Sequence, residues 1–65
     1  MKTKDSREAQ AELIRHGLTE QEAKRVIYGV DDSGYWEDPD RDLYVYRDQV
    51  PLGGYYEVSG PDDRR

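Results

Sequence analysis

The stretch GYWEDPDRDLYVYR, residues 34–47, decides the fold. Upstream of it, apolar residues recur every three or four positions; within it they alternate, the two-residue period of a strand. Tyr35, Trp36 and Glu37 read as a short strand, Asp38-Pro39-Asp40-Arg41 as a turn, and Leu43 to Arg47 as a second strand. Asp38 suits the first position of a type I turn, and Pro39, with its fixed φ, the second. A link this short can join only antiparallel strands.

Downstream, the turn VPLGG (residues 50–54) leads to YYEVSG (55–60), which reads as a third strand, and PDDRR (61–65) as a flexible tail. Upstream lies LTEQEAKRVIYG, residues 18–29. Thr19 with Glu22 three positions on is a capping box, and Leu18 with Ala23 is the accompanying hydrophobic staple. Ala23, Val26, Ile27 and Val30 form a buried stripe, and Gly29 is the expected stop. An earlier helix starts at Ser6 as N-cap, runs through REAQAELIRH and ends at Gly17. Ala9, Leu13 and either Ile14 or His16 share one face of it. Residues 1–5 are expected to be a flexible N-terminus. The sequence therefore predicts one α+β domain over residues 6–60, in the order ααβββ. Two N-terminal helices pack on a three-stranded antiparallel sheet, with Leu13, Val26, Ile27, Trp36, Leu43 and Val45 in one core.

A chain of 65 residues has room for one domain. It buries a modest fraction of its unfolded surface, and the usual aids are disulfides, a metal or a partner chain. There is no cysteine, and the single histidine, His16, cannot anchor a transition-metal cluster alone. Partner association or unusually good packing remains, and homodimerisation is an expectation. No apolar run approaches the roughly 20 residues of a membrane span. MKTKDSRE lacks the apolar segment of a secretory signal. With the absent cysteines, this points to a cytoplasmic location.

Charge is unevenly placed. Residues 1–30 carry a net +1 and residues 31–65 a net −6. The acidic half disfavours phosphate contact and with it direct DNA binding; it favours a larger basic protein as partner.

Alternation sorts the strand side chains into two sets. Trp36, Leu43, Val45, Tyr56 and Val58 are the more apolar and should pack on the helices. Tyr35, Glu37, Tyr44, Tyr46, Tyr55 and Glu57 are left facing out. Tyrosines can serve cross-strand pairing alone. They also supply large contact area at small entropic cost and are enriched at interfaces. With Asp38, Asp40 and Asp42 of the hairpin, this set is the expected partner-binding surface.

Asp38-x-Asp40-x-Asp42 is also how a calcium loop of the EF-hand kind begins. Such a loop needs glycine at its sixth position and glutamate at its twelfth. Here Leu43 and Gln49 stand there, so no metal is expected, and the acids read as a soluble hairpin tip with Arg41 as local charge partner. No catalytic or cofactor-binding residue is expected either. His16 ends a helix, where an imidazolium favours the dipole. Ser6, Ser33 and Ser59 have no second histidine, and Gly53-Gly54 has neither the spacing nor the lysine of a phosphate loop.

LIRHGLTEQEAKRVI resembles the opening of ubiquitin-associated domains, where a loop with glycine precedes EEA. It is similar as well to the KHG…EEA segment of BrnT-type toxins and to a helix-turn-helix. Each resemblance covers about fifteen residues and rests on the same capping grammar. The strands that follow replace the third helix of the first family, and the basic catalytic strands of the second are missing, so no family residues carry over. In composition the chain is similar in type to phage and mobile-element inhibitors, including anti-CRISPR and anti-restriction proteins that imitate nucleic acid. The expected function is thus a small acidic inhibitor or adaptor that blocks a nucleic-acid-handling protein. The alternative is a small DNA-binding regulator of helix-turn-helix type, using Lys24 and Arg25, with Lys2, Lys4, Arg7 and Arg15 on phosphates. A toxin-like nuclease fragment is a third reading, with no active-site constellation to support it.

Overall fold

A computed structural model describes residues 1–48 and 54–61. The elements are β1 (Lys2–Thr3), α1 (Ser6–Arg15), α2 (Glu20–Ser33), β2 (Tyr35–Asp38), β3 (Leu43–Arg47) and β4 (Tyr56–Ser59). The strands form one antiparallel sheet in the order β1-β4-β3-β2. Both helices cover one face of it, α1 against β4 and β1, and α2 against β2 and β3. This is the α+β fold that the sequence predicts, with one correction: the sheet has four strands. The fourth is β1, inside the segment read as a flexible N-terminus. Lys2 stands opposite Glu57 and Thr3 opposite Tyr56. A two-residue strand leaves almost no alternation to read, which is why it escaped the pattern.

The core confirms the strand parity. Ala9, Leu13, Leu18, Ala23, Val26, Ile27, Val30, Leu43, Val45, Tyr56 and Val58 are all buried, with Trp36 packed against them. At about 25 cal/mol per Å² of apolar surface, each large member of this cluster contributes on the order of 1.5–3 kcal/mol.

The helix ends explain how the sheet is positioned. Thr19 and Glu22 form the capping box in full: the Glu22 N–H donates to Thr19 Oγ1 at 3.1 Å, and the Thr19 N–H donates to Glu22 Oε1 at 3.0 Å. The Thr19 backbone N–H, which donates to the ionised carboxyl, and then the Thr19 side chain hold the Glu22 carboxyl below the usual carboxylate range. At the other helix the N-cap is Asp5, not Ser6. Asp5 is extended, its carboxylate accepts from the Arg7 N–H at 2.8 Å, and its own N–H donates to Thr3 Oγ1 at 3.0 Å. Two good caps lie side by side, and the bond that ties the cap to β1 favours the first. The expected stop at Gly29 is also corrected. α2 runs one turn further, because Val30 continues its buried stripe. It ends at Gly34, whose φ of 84° places it in the left-handed region that glycine adopts at little cost. The Gly34 N–H donates to the Val30 carbonyl at 2.8 Å, and its carbonyl accepts from the Arg47 N–H at 2.9 Å. One residue thus closes the helix and docks the sheet.

The β2–β3 hairpin forms as read, with the turn moved on by one residue. The Asp42 N–H donates to the Pro39 carbonyl at 3.2 Å, so Pro39 takes the first turn position and not the second. Asp42 then sits at φ 51°, a left-handed conformation that aspartate tolerates better than most residues. Of the two remaining expectations, the turn at 50–54 lies outside the described residues except for Gly54, and the tail does except for Pro61.

Candidate protein-binding face

The sheet face opposite the helices is assembled by strand register. Tyr35 stands opposite Tyr46, and Tyr46 opposite Glu57; Glu57 in turn stands opposite Lys2. A second row, nearer the hairpin, runs Glu37, Tyr44, Ser59. Tyr55 precedes β4 with the parity of Glu57 and lies under Lys4, whose Nζ is 5.7 Å from its ring centroid. Tyr35, Tyr46 and Tyr55 are 50%, 47% and 46% exposed; Tyr44 is half-buried between its neighbours. Six of the nine residues expected to bind a partner, Tyr35, Glu37, Tyr44, Tyr46, Tyr55 and Glu57, therefore share one continuous face.

The rings on this face are held in place. Tyr35 and Tyr44 stack with centroids 6.5 Å apart and planes inclined by 28°. The Tyr35 hydroxyl donates to Glu37 Oε2 at 3.0 Å. Pre-ordered rings lose less entropy on binding, which is what makes an aromatic patch effective as an interface.

The three hairpin aspartates separate. Asp38 stands opposite Leu43, on the helix side of the sheet. Its carboxylate accepts from the Asp40 N–H at 3.1 Å and pairs with the Arg41 guanidinium, and this pairing holds its pKa below the usual carboxylate range. It is a turn former, already neutralised. Asp40 and Asp42 remain exposed at the hairpin tip, at the acidic end of the tyrosine face. Lys2 and Lys4, which the sequence reading placed in a flexible leader, add a basic edge along β1. The face thus grades from basic at β1, through tyrosines, to acidic at β2 and the hairpin.

Two other polar groups are structural. The His16 imidazole lies 3.6 Å from Glu12 Oε2 and packs on Gly60 so closely that a Cβ there would be 2.4 Å from Cε1. Behind the sheet, the Tyr56 hydroxyl donates to Asp31, Arg47 Nη1 pairs with Asp31 at 3.2 Å, and the guanidinium lies over the Tyr56 ring at 5.2 Å. Burial, and then the Asp31 carboxylate, push the Tyr56 pKa up to about 12. That phenol is a fixed donor and not an acid ready to ionise, so the cluster fastens the last turn of α2 to the sheet. Among the described residues, no group of three His, Cys, Asp or Glu side chains could hold a metal ion, and no helix is long and apolar enough to cross a membrane. Lys24 and Arg25 lie exposed on α2; Arg25 lines a cleft of about 200 Å³ where α2 meets β2, shared with Ser33, Tyr35 and Trp36.

No protein-family model, characterised protein or solved structure matches this chain.

Proposed function

We propose that this chain is a small protein-binding module whose tyrosine face docks on a larger, basic protein. The observation that carries the reading is the clustering of Tyr35, Tyr44, Tyr46 and Tyr55 with Glu37 and Glu57 on the side of the sheet opposite the helices. Aromatic rings at the centre of a patch, with charge at its rim, are the anatomy of a protein interface. Asp40 and Asp42 extend the acidic end, so the complementary partner surface is basic there. A nucleic-acid-handling protein offers such a surface, with carboxylates taking the place of phosphates against its Arg and Lys side chains. The chain then acts as an inhibitor or adaptor, by occupying that surface and with no chemistry of its own.

Immobilised chain, challenged with lysate of the cells that produce it, tests this against a matched control. A basic protein should be retained by the wild type and by Tyr28→Ala, whose tyrosine is exposed on α2, and lost from Tyr46→Ala. Retention of DNA in place of protein, abolished by Lys24→Ala with Arg25→Ala, would establish the regulator reading instead.

A further inference from the structure

The tyrosine face carries opposite charges on its two edges. One row crosses all four strands: Lys2, Glu57, Tyr46 and Tyr35, each opposite the next. Lys2 and Lys4 mark the β1 edge, Lys4 with its Nζ 5.7 Å from the Tyr55 ring centroid. Glu37, exposed on β2, marks the other edge, and its carboxylate accepts from the Tyr35 hydroxyl at 3.0 Å. Among the described residues, Lys2, Lys4 and Glu57 take part in no ion pair. Between the edges the Tyr46 and Tyr55 rings are half exposed.

We infer that a second copy of this chain docks on this face, sheet against sheet, about a two-fold axis that runs along the strands. The order of charges selects both the occupant and the axis. A two-fold that joins two copies of one face lies in the plane between them. Running across the strands, it would lay each strand over its own counterpart, and lysine edge would meet lysine edge. Running along the strands between β3 and β4, it lays β1 of each copy over β2 of the other, and β4 over β3. Lys2 then comes over Tyr35 and Glu37 of the second copy. Glu57 comes over Tyr46 of the second copy, whose hydroxyl can donate to a carboxylate. Each contact is made twice, and no like charges are opposed in this row. A face with one sign of charge throughout would repel its own copy; this one is complementary to itself.

Packing agrees with this arrangement. Sheets stacked face to face keep their strands within about 30° of each other, so the order of the edges survives the twist. They stand about 10 Å apart, a gap that tyrosine rings from both sides fill. Four strands about 4.8 Å apart, each about five residues long, offer a footprint of roughly 300 Å² per copy, well below the ~800 Å² of a standard interface. The dimer is therefore weak and exchanges with the monomer. It covers the rings that the proposed partner needs, so the second copy and the partner compete for one face. That competition rests on the protein-binding reading above; dimerisation itself does not.

Sedimentation equilibrium on the purified whole chain, with circular dichroism as the folding check, tests the dimer with no partner present. The wild type should dimerise with a dissociation constant of about 100 μM, the scale of a small interface. Tyr46→Ala should weaken the dimer about tenfold or more, and Tyr28→Ala should leave it unchanged. Lys2→Glu and Glu37→Lys should each weaken it about tenfold, since each opposes like charges twice. Mixed in equal amounts, these two variants should form a heterodimer about as tight as the wild-type dimer, because both contacts are then complementary. A wild type that stays monomeric at about 1 mM overturns the inference. So does a dimer that keeps its strength in Tyr46→Ala, or a mixture of the two charge variants that associates no better than either alone. The partner reading fails separately, where Tyr46→Ala loses the dimer yet still retains the basic protein from lysate.

Discussion

Tyr35 of β2 stacks on Tyr44 of β3 with ring centroids 6.5 Å apart, diagonally across the face that the helices leave bare. The stack is held from below by the register that sets Tyr35 opposite Tyr46 and Glu37 opposite Tyr44. It follows that these rings belong to a formed surface and can act together, and that the acids around them act differently from the rings.

The acids at the hairpin tip should govern encounter. Asp40→Lys with Asp42→Lys should slow association with the basic partner, and the deficit should shrink as salt rises past the Debye screening range of about 10 Å at 0.1 M. Asp38→Asn should behave otherwise, because its carboxylate is committed to Arg41 and the turn; it should lower stability and leave the association rate nearly unchanged. Stopped-flow mixing at two ionic strengths separates the two effects.

The capping box gives a stability prediction independent of function. Thr19→Ala removes the acceptor of the Glu22 N–H and should cost about 1 kcal/mol in urea denaturation. Leu13→Ala, in the fully buried centre of the core, should cost on the order of 2–5 kcal/mol and leave little folded protein.

Tyr56 supplies a pH signature. Its pKa rises from 10.0 in the unfolded chain to about 12 in the fold. Between those values the unfolded chain releases the proton while the folded chain keeps it. The stabilisation is therefore complete below pH 10 and is lost as pH climbs toward 12. Thermal melts should show a falling midpoint across that window, and Tyr56→Phe should flatten the fall. The variant should also be weaker at neutral pH by about 1–2 kcal/mol, since Asp31 loses its phenolic donor.

Gly60 should resist substitution for a steric reason. Gly60→Ala drives a methyl group into the His16 ring, which has only 9% of its side chain exposed and little room to retreat. A destabilisation of roughly 1–3 kcal/mol is expected, as for overpacking elsewhere. The double variant Gly60→Ala with His16→Ala should recover part of it, which chemical denaturation of the pair can measure.

The sequence made the hairpin and the sheet parity legible because alternation over Leu43 to Arg47 is unambiguous: Leu43 and Val45 can face only the core. The capping box at Thr19 was equally plain, since its two side chains need no tertiary contact to explain them. Errors arose where tertiary structure overrides local grammar. Gly29 looks like a helix stop in isolation, yet Val30 has a core to reach, and burial carries the helix on to Gly34. Lys2–Thr3 has no pattern of its own and becomes a strand because β4 offers an open edge. For the same reason the basic border of the tyrosine face, Lys2 and Lys4, could not be seen from the local sequence. Asp38 shares its charge with Asp40 and Asp42 but its parity with Leu43, and parity decides the side of the sheet on which it lies.

The tyrosine face is tested most directly by the dissociation rate of the complex. With the captured partner immobilised, wild-type chain, Tyr46→Ala and Tyr28→Ala should be compared, each confirmed folded. Tyr46→Ala should dissociate about thirtyfold faster, the loss expected of a central aromatic anchor worth about 2 kcal/mol, with its association rate nearly unchanged. Tyr28→Ala should match the wild type. Equal dissociation from all three chains, or a loss confined to Tyr28→Ala, would contradict the assignment and move the binding surface to the helices.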